Sequence, residues 1–265
     1  MRIALRLTML VIAVACAGLF LFHPWWLPSM ASRDAAALDR GLLAALWAMG
    51  GLFLLAQTGL FIILGRNGQQ GRSRGNWKVE LAWTAAISAI FFGFNLSGGR
   101  LWSRISSHTG STDAVQVEIT GIQFQWYFRY PGIDGSFGRI NAVKFARPDE
   151  GNPLGIDPTD PSGHDDVVSP ALVLPVGREA DLTLRAQDVI HSVFIPAMRV
   201  KQDAVPGMDV HTHFTPTQIG TYELVCTQLC GLGHYRMRAV VRIVSNEDFK
   251  QWLKSRAQAL AASPK

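Results

Sequence analysis

The segment TYELVCTQLCGLGHYRMRAVVRIV (221–244) places a short loop between two stretches in which apolar and polar residues alternate. The flanking stretches, TYELVC (221–226) and RAVVRIV (238–244), have the period of two that predicts β-strands. Between Cys226 and Met237 the loop gathers two of the chain's three cysteines, a histidine and a methionine. Soft donors held between two strands indicate a metal or redox site on a β-domain.

The same period of two recurs from residue 113 onward, and Gly, Pro and Asp separate the stretches. The further predicted strands are AVQVEIT (114–120), QFQWYFRY (123–130), ALVLPVG (171–177), ADLTLRA (180–186) and DVHTHFT (209–215). About seven short strands at this spacing predict an antiparallel sandwich or barrel. The Pro- and Asp-rich stretch 146–170 is predicted to be a long surface loop, and 247–265 a docked C-terminal helix and tail.

Two apolar stretches predict a transmembrane hairpin over residues 41–98. LLAALWAMGGLFLLAQTGLFIIL (42–64) has no charge, and ELAWTAAISAIFFGFNLSG (80–98) has only Glu80 at its start. A helix crosses a bilayer with about 20 such residues. Both stretches are hydrophobic on all sides, which disfavours a pair of helices in a soluble core.

The basic residues indicate how the hairpin is oriented. Residues 1–102 carry nine basic and three acidic side chains of the chain's totals of 25 and 20, so the rest of the chain is nearly neutral. This distribution gives no basis for nucleic-acid binding. The loop at 65–78 has four basic residues and no acid, which predicts that it is cytoplasmic and that the β-domain lies on the outer side.

Residues 1–31 have the pattern of a secretory signal peptide or of an additional transmembrane helix. Arg2 and Arg6 precede an apolar run, and small residues follow at Ser29 and Ala31. Both interpretations give the same topology, and cleavage near Ala31 is slightly favoured.

Four kinds of site compete for the loop 226–237. A structural disulfide leaves His234 and Met237 without a role, and zinc has little use for a thioether. A copper-delivery or thiol-redox protein of the thioredoxin type would alternate helices with strands, unlike this chain. Copper for electron transfer uses thiolate, imidazole and a weak methionine ligand, all of which are present.

A mononuclear copper site needs one cysteine, whereas this loop has two that could bridge two copper ions. Each ion then needs a histidine, and His234 is one of them. His191, at the end of a predicted strand in DVIHSVFIP, is the other candidate. His211 and His213 are rivals, but they share one strand face away from the loop.

These residues resemble the dinuclear copper A domain of cytochrome c oxidase subunit II. The resemblance rests on Cys-x3-Cys-x3-His-x2-Met, on a histidine about 35 residues upstream followed by DAVPG (203–207), and on ELAWT (80–84). It covers about residues 41–253. It implies a transmembrane hairpin followed by an all-β, cupredoxin-like Greek-key sandwich over residues 112–246.

The resemblance also implies the role of each ligand. The implied copper ligands are His191, Cys226, Gln228, Cys230, His234 and Met237, with residue 228 acting through its backbone carbonyl. The family has a glutamate there whose side chain also binds magnesium at the junction with the catalytic subunit. Gln228 leaves the carbonyl in place but is a weaker magnesium ligand.

Four further residues match functional positions of the family. Phe124 matches the aromatic position that receives the electron and Trp126 matches a second aromatic, so one of these two is expected to be the entry residue. Asp188 matches an acidic position for cytochrome docking. Glu80 matches a carboxylate at the mouth of a proton pathway, although an ordinary interfacial charge explains it equally well. The family's glutamate at position 129 is Arg129 here, and because the outer domain is nearly neutral, the donor is expected not to be a strongly basic cytochrome.

The implied function is the electron-accepting subunit of a haem–copper terminal oxidase in the bacterial inner membrane, with its copper domain on the periplasmic side. Two copper ions would pass electrons from cytochrome c to haem in subunit I, where oxygen reduction drives proton translocation. Subunit III is a further expected partner, and this chain has no catalytic residues of its own. The alternatives are a nitric oxide reductase subunit and a membrane-anchored copper-delivery or thiol-redox protein.

Overall fold

The structure is a computed structural model with two compact units. One unit comprises Met1–Pro28 and Ala37–Ser107, and the other comprises Ser29–Ala36 and His108–Lys265. The residues described are 2–21, 27–65, 75–106, 111, 113–145 and 151–262. The basic residues of the predicted cytoplasmic loop, except Lys78, lie outside these ranges.

The first unit is helical. Its helices are α1 (Arg2–Leu21), α2 (Ala35–Gly65) and α3 (Trp77–Ser106). Helix α2 over Ala35–Ile63 and α3 over Trp77–Ser103 are long and apolar enough to cross a membrane, with mean hydropathies of 1.8 and 1.5. Because their apolar side chains are not buried within the chain, they are suited to lipid or to other subunits.

The second unit is a sandwich of two five-stranded sheets. Its strands are β1 (Val115–Ile122), β2 (Gln125–Tyr130), β3 (Val167–Ser169), β4 (Leu172–Pro175), β5 (Ala180–Ala186), β6 (His191–Ile195), β7 (Val200–Ala204), β8 (Val210–Phe214), β9 (Gly220–Cys226) and β10 (Arg238–Val244). The first sheet has the order β3-β2-β1-β5-β8, and the second has the order β4-β10-β9-β6-β7. The predicted sandwich is therefore confirmed.

The sheets are mixed, whereas the sequence predicted an antiparallel sandwich. Strands β1 and β5 pair in parallel, as do β4 and β10. Strands that pair in parallel here are far apart in the chain, because the intervening segments cross to the other sheet or cover the sandwich. Alternation within one strand cannot reveal this pairing.

Three short strands were also missed by the sequence patterns. Strand β3 lies within the stretch predicted to be a surface loop, and β6 and β7 flank a single 3-10 turn at Pro196–Met198. Strand β6 was missed because four of its five residues are buried, so it does not alternate. His191 begins β6 rather than ending a strand.

The core lies between the two sheets. Inward-facing residues of β1, β2 and β5 meet those of β6, β9 and β10 in one apolar cluster. A tyrosine joins the sheets at one end: the Tyr130 hydroxyl lies 3.1 Å from Val173 O and accepts from Val173 N at 2.7 Å. Helix α4 (Asn246–Ala262) covers this end, with Trp252 edge-on to Tyr130 at a centroid distance of 5.0 Å. The predicted C-terminal helix is thus present.

Residues 29–36 form a strap on the sandwich. Ala31 is fully buried, donates to Ala197 O at 2.9 Å and accepts from Thr217 N at 2.8 Å. The Ser32 hydroxyl donates to Met198 O at 2.7 Å. Cleavage near Ala31 stays a prediction, and it would leave a charged amino group at the buried Ser32, at a desolvation cost.

Candidate metal centre

The second sheet brings the two halves of the candidate site together. Strands β6 and β9 pair antiparallel with Val193 opposite Cys226, so the end of β9 lies beside the start of β6. Thr227 N donates to Ser192 O at 3.1 Å and continues this contact beyond the strand. His191 and Cys226 are therefore adjacent because of backbone pairing.

The ligand loop, residues 226–237, closes on itself at its two ends. Cys226 N donates to Met237 O at 3.0 Å, where β9 passes to β10. A 3-10 turn at His234–Arg236 precedes Met237 and returns the chain to the sheet. Both ends of the loop are thereby fixed, and its donor side chains turn toward one point.

The donor atoms lie within a few ångströms of one another. Cys226 Sγ is 3.9 Å from Cys230 Sγ and 3.9 Å from His191 Nδ1. Cys230 Sγ is 3.6 Å from His234 Nδ1 and 3.7 Å from Met237 Sδ. The structure thus brings the side chains of His191, Cys226, Cys230, His234 and Met237 together.

The two cysteines are free thiols. A disulfide would need its sulfurs about 2.05 Å apart, and these are 3.9 Å apart. Thiolate–metal bonds of about 2.3 Å fit across this gap. The Gln228 carbonyl oxygen, 3.2 Å from Cys226 Sγ, adds a neutral oxygen donor to the cluster.

The donor set fits copper better than a hard cation. Two thiols, two imidazole nitrogens and a thioether suit copper, whereas magnesium and calcium prefer oxygen donors. His191 is fully buried, and Cys226, Cys230 and Met237 are at most 7% exposed. The cluster is thus largely shielded from water, which suits electron transfer better than substrate binding.

The two thiols differ in acidity. Burial opposes ionisation of Cys226, but several hydrogen bonds, of which the one with His191 is the strongest, together outweigh it and lower the pKa to about 6. Burial and the neighbouring Cys226 charge raise the pKa of Cys230 to about 11. One thiolate is therefore present at neutral pH, and the second forms most readily when a cation joins the pair.

Asp188 orients His191. Its Oδ1 lies 2.8 Å from His191 Nε2 and accepts from Val189 N at 2.7 Å, while its Oδ2 accepts from Gln123 N at 2.7 Å. Burial opposes ionisation of Asp188, but these hydrogen bonds keep its pKa below the ordinary value. An ionised carboxylate only accepts hydrogen bonds, so it holds the proton on Nε2 and leaves Nδ1 facing Cys226.

The two predicted electron-uptake aromatics contact different sides of the cluster. Phe124 is half-buried and packs on the backbone of the ligand loop; a Cβ on Gly233 would lie 2.4 Å from its ring. Trp126 is 1% exposed and edge-on to His191, with ring centroids 5.7 Å apart. Both therefore lie against ligand-bearing backbone or a ligand ring, and Phe124 is the more accessible.

The remaining predicted residue, Glu80, and the other described histidines lie elsewhere. Glu80 is in the first turn of α3, in the helical unit. His211 faces Thr183 at 3.3 Å on β8 of the first sheet, away from the ligand loop, and His213 shares that face. His164 contacts Pro158 O at 2.9 Å, and His108 lies outside the described residues.

Arg129 is not a surface charge, contrary to the expectation that it affects donor docking. It is 1% exposed and binds Glu118 at 2.8 Å and Asp166 through Nε at 3.0 Å. Its Nη2 also donates to Gly138 O. Arg185 binds the other oxygen of Glu118 at 2.7 Å. This network ties the segment after β2 to the outer face of the first sheet.

Gln123 was also missed as a contributor to the site. Its side-chain Nε2 donates to Cys230 O, although the two residues are 107 positions apart. No sequence pattern predicts such a contact, because Gln123 lies in the short connection between β1 and β2, where an exposed glutamine is common.

Comparison with known proteins gives a family match. The family model for the periplasmic domain of cytochrome c oxidase subunit II matches residues 116–244. The "alternative cytochrome c oxidase subunit 2" of Bradyrhizobium diazoefficiens is 34% identical over 257 residues, 94% of this chain and 91% of that protein. Cytochrome c oxidase subunit 2 of Thermostichus vulcanus is 30% identical over 300 residues, 91% of this chain and 81% of that protein.

A solved structure is similar to the second unit. It is the periplasmic domain of subunit II of the cytochrome oxidase of Bradyrhizobium japonicum, which is 26% identical, with a TM-score of 0.42. The similarity covers 57% of this chain and 99% of that one.

Proposed function

The chain belongs to the cytochrome c oxidase subunit II family, and on this basis we propose that it is the electron-accepting copper subunit of a haem–copper terminal oxidase. Its relatives are subunits of oxidoreductase complexes. Two membrane-length helices and a sandwich that matches a periplasmic domain support a membrane protein. The proposed location is the bacterial inner membrane, with the sandwich on the periplasmic side.

The observation that carries the proposal is the pairing of each sulfur with one imidazole. Cys226 Sγ faces His191 Nδ1 and Cys230 Sγ faces His234 Nδ1, while the sulfurs face each other. In the proposed site Cys226, Cys230, His191 and His234 would hold a pair of copper ions through their sulfur and imidazole nitrogen atoms. Met237 and the Gln228 carbonyl would contribute weaker donors. When bound, the copper pair supplies a one-electron relay.

The protein residues contribute stiffness and exclusion of water. Strand pairing fixes His191 against Cys226, and the loop ends fix Met237 against Cys226. A site whose ligands are held by paired strands of one sheet changes little between oxidation states, which favours fast electron transfer. The buried sulfurs are protected from the water that would compete for the metal.

The finer roles follow the family. We place electron uptake from cytochrome c at Phe124 or Trp126, because Phe124 lies against the ligand loop and Trp126 against His191, and transfer onward to haem in subunit I. Glu80 is proposed at the mouth of a proton pathway, and subunit III as a neighbour. Magnesium at the junction with subunit I is expected to bind weakly, because Gln228 offers a neutral amide. Docking of the cytochrome at Asp188 stays a prediction. Both oxygens of this carboxylate already have hydrogen-bond partners within the chain.

The experiment is turnover of the purified complex that contains this chain. We expect the complex to consume oxygen with reduced cytochrome c, and C226S to abolish turnover while the conservative C16S, in α1, leaves it unchanged. Consumption of nitric oxide but not oxygen would assign the chain to a reductase. A chain that purifies without catalytic subunits, and that passes copper to another protein, would assign it to copper delivery.

A further inference from the structure

Gln123 connects the two sheets at the metal end of the sandwich. It lies between β1 and β2 of the first sheet, whereas the ligand loop joins β9 and β10 of the second. Its side chain contacts the ligand loop, and its backbone contacts the segment that carries His191. A single residue thus touches both halves of the site from the opposite sheet.

The side-chain contact is at the middle of the loop. The ends of the ligand loop are bonded to each other through Cys226 N and Met237 O, but Cys230 is four residues from the nearer end. Gln123 Nε2 donates to the carbonyl of Cys230. Within the described part of the chain, this is the hydrogen bond that ties the loop to the other sheet. A Cβ on Gly231 would lie 2.9 Å from the same amide nitrogen, so the two segments are packed closely.

The backbone of Gln123 is linked to His191 through Asp188. Gln123 N donates to Asp188 Oδ2 at 2.7 Å, and Asp188 Oδ1 contacts His191 Nε2 at 2.8 Å. A second hydrogen bond joins the same two segments, because Gln187 N donates to Gly121 O at 3.2 Å. The Asp188 carboxylate therefore transmits the position of residue 123 to the imidazole.

We propose that Gln123 is a positioning residue of the metal centre, which sets the distance between Cys230 in the ligand loop and His191 on β6. This inference rests on the proposed function. Strand pairing already places Cys226 beside His191, so the less constrained coordinate is the position of Cys230 relative to that pair. The Gln123 amide restricts this coordinate before metal binds. Holding ligands in advance lowers the entropic cost of binding and resists metal loss.

The test uses the assembled oxidase with Q123A, Q123E and the control Q125A. Gln125 is an exposed glutamine two residues further on, at the start of β2. The readouts are the rate of copper release to a chelator, the reduction potential and the paramagnetic resonance spectrum of the copper centre. We expect Q123A to release copper about tenfold faster or more and to shift both the potential and the spectrum. Q125A should match the wild type.

Q123E separates hydrogen bonding from packing. It has nearly the same shape and keeps the backbone N–H, but an ionised carboxylate cannot donate to Cys230 O. We expect Q123E to behave like Q123A. Wild-type behaviour of Q123E, or equal copper release by Q123A and Q125A, would overturn the positioning role. If the wild-type chain itself bound no copper pair, the proposed function would fail instead.

Discussion

Asp188 Oδ1 lies 2.8 Å from His191 Nε2, and the opposite ring nitrogen faces Cys226 Sγ at 3.9 Å. One carboxylate thus determines which nitrogen of the histidine is available to a metal. Partners of this kind fix the tautomer and the ring orientation of metal-binding histidines. The residue that the family resemblance assigned to docking therefore contacts a proposed ligand, His191, directly.

Replacing Asp188 tests this orientation. We expect D188A to lower copper affinity about tenfold or more, because the imidazole loses its acceptor and Gln123 N loses its partner. D181A, on β5 of the first sheet, removes the same charge away from the ligand loop and should leave affinity unchanged. Competition with a chelator measures the effect. Unchanged copper affinity in D188A, with a higher KM for the donor, would show that Asp188 acts in donor docking and not in orienting His191.

The thioether of Met237 is proposed to be a weak ligand. It is 1% exposed and 3.7 Å from Cys230 Sγ. M237L keeps the volume and removes the sulfur, so we expect both copper ions to remain bound and the reduction potential to shift. Metal analysis and redox titration check this. Complete copper loss in M237L would show that the thioether is a principal ligand.

The two thiols should titrate separately in the metal-free chain. Cys226 has a folded pKa of about 6 and Cys230 of about 11, against an ordinary value of 9.0. The lowered pKa adds stability that is present above pH 9.0 and lost as pH falls through about 6. The raised pKa of Cys230 has the opposite effect on stability, so its contribution is lost as pH rises from 9.0 toward 11. Thiolate absorbance in a C16S background should rise in two steps, and a single joint step near the ordinary pKa would contradict this.

Removing one partner from the buried charge network should destabilise the sandwich. Arg129 is 1% exposed, and the Asp166 side chain is fully buried. R129M leaves this carboxylate and Glu118 buried with fewer partners, which costs about 3 kcal/mol or more of unfolding free energy. R139Q breaks an exposed pair with Asp160, whose arginine is 75% exposed, and should cost about 1 kcal/mol or less. Denaturant unfolding of the full chain measures both, and equal losses would contradict the account.

The candidate ligand set could be proposed from the sequence because four of its side chains lie in one loop with fixed spacing. Strand β9 and strand β10 alternate clearly, so the loop between them was placed correctly. His191 could be named as a candidate from the segment DVIHSVFIP, but its place at the start of β6 was missed, because four of the five residues of this strand are buried and give no period of two. The nearby β7 was missed because it mixes exposed charged residues with buried ends.

The supporting contacts could not be predicted, because they join residues distant in the sequence. Gln123 and Cys230 are 107 positions apart, and Arg129 and Asp166 are 37 apart. Each pair meets only when a loop folds onto the sandwich or when the two sheets pack together. Arg129 in particular occupies an outward strand position that is normally solvated, and only the covering segment around Gly138 makes it internal.

The most direct measurement is the electron paramagnetic resonance spectrum of the copper-loaded full chain, together with its copper content. The account predicts two copper ions per chain and a multi-line hyperfine pattern from one electron that both nuclei share. One copper per chain with an ordinary four-line pattern would contradict it.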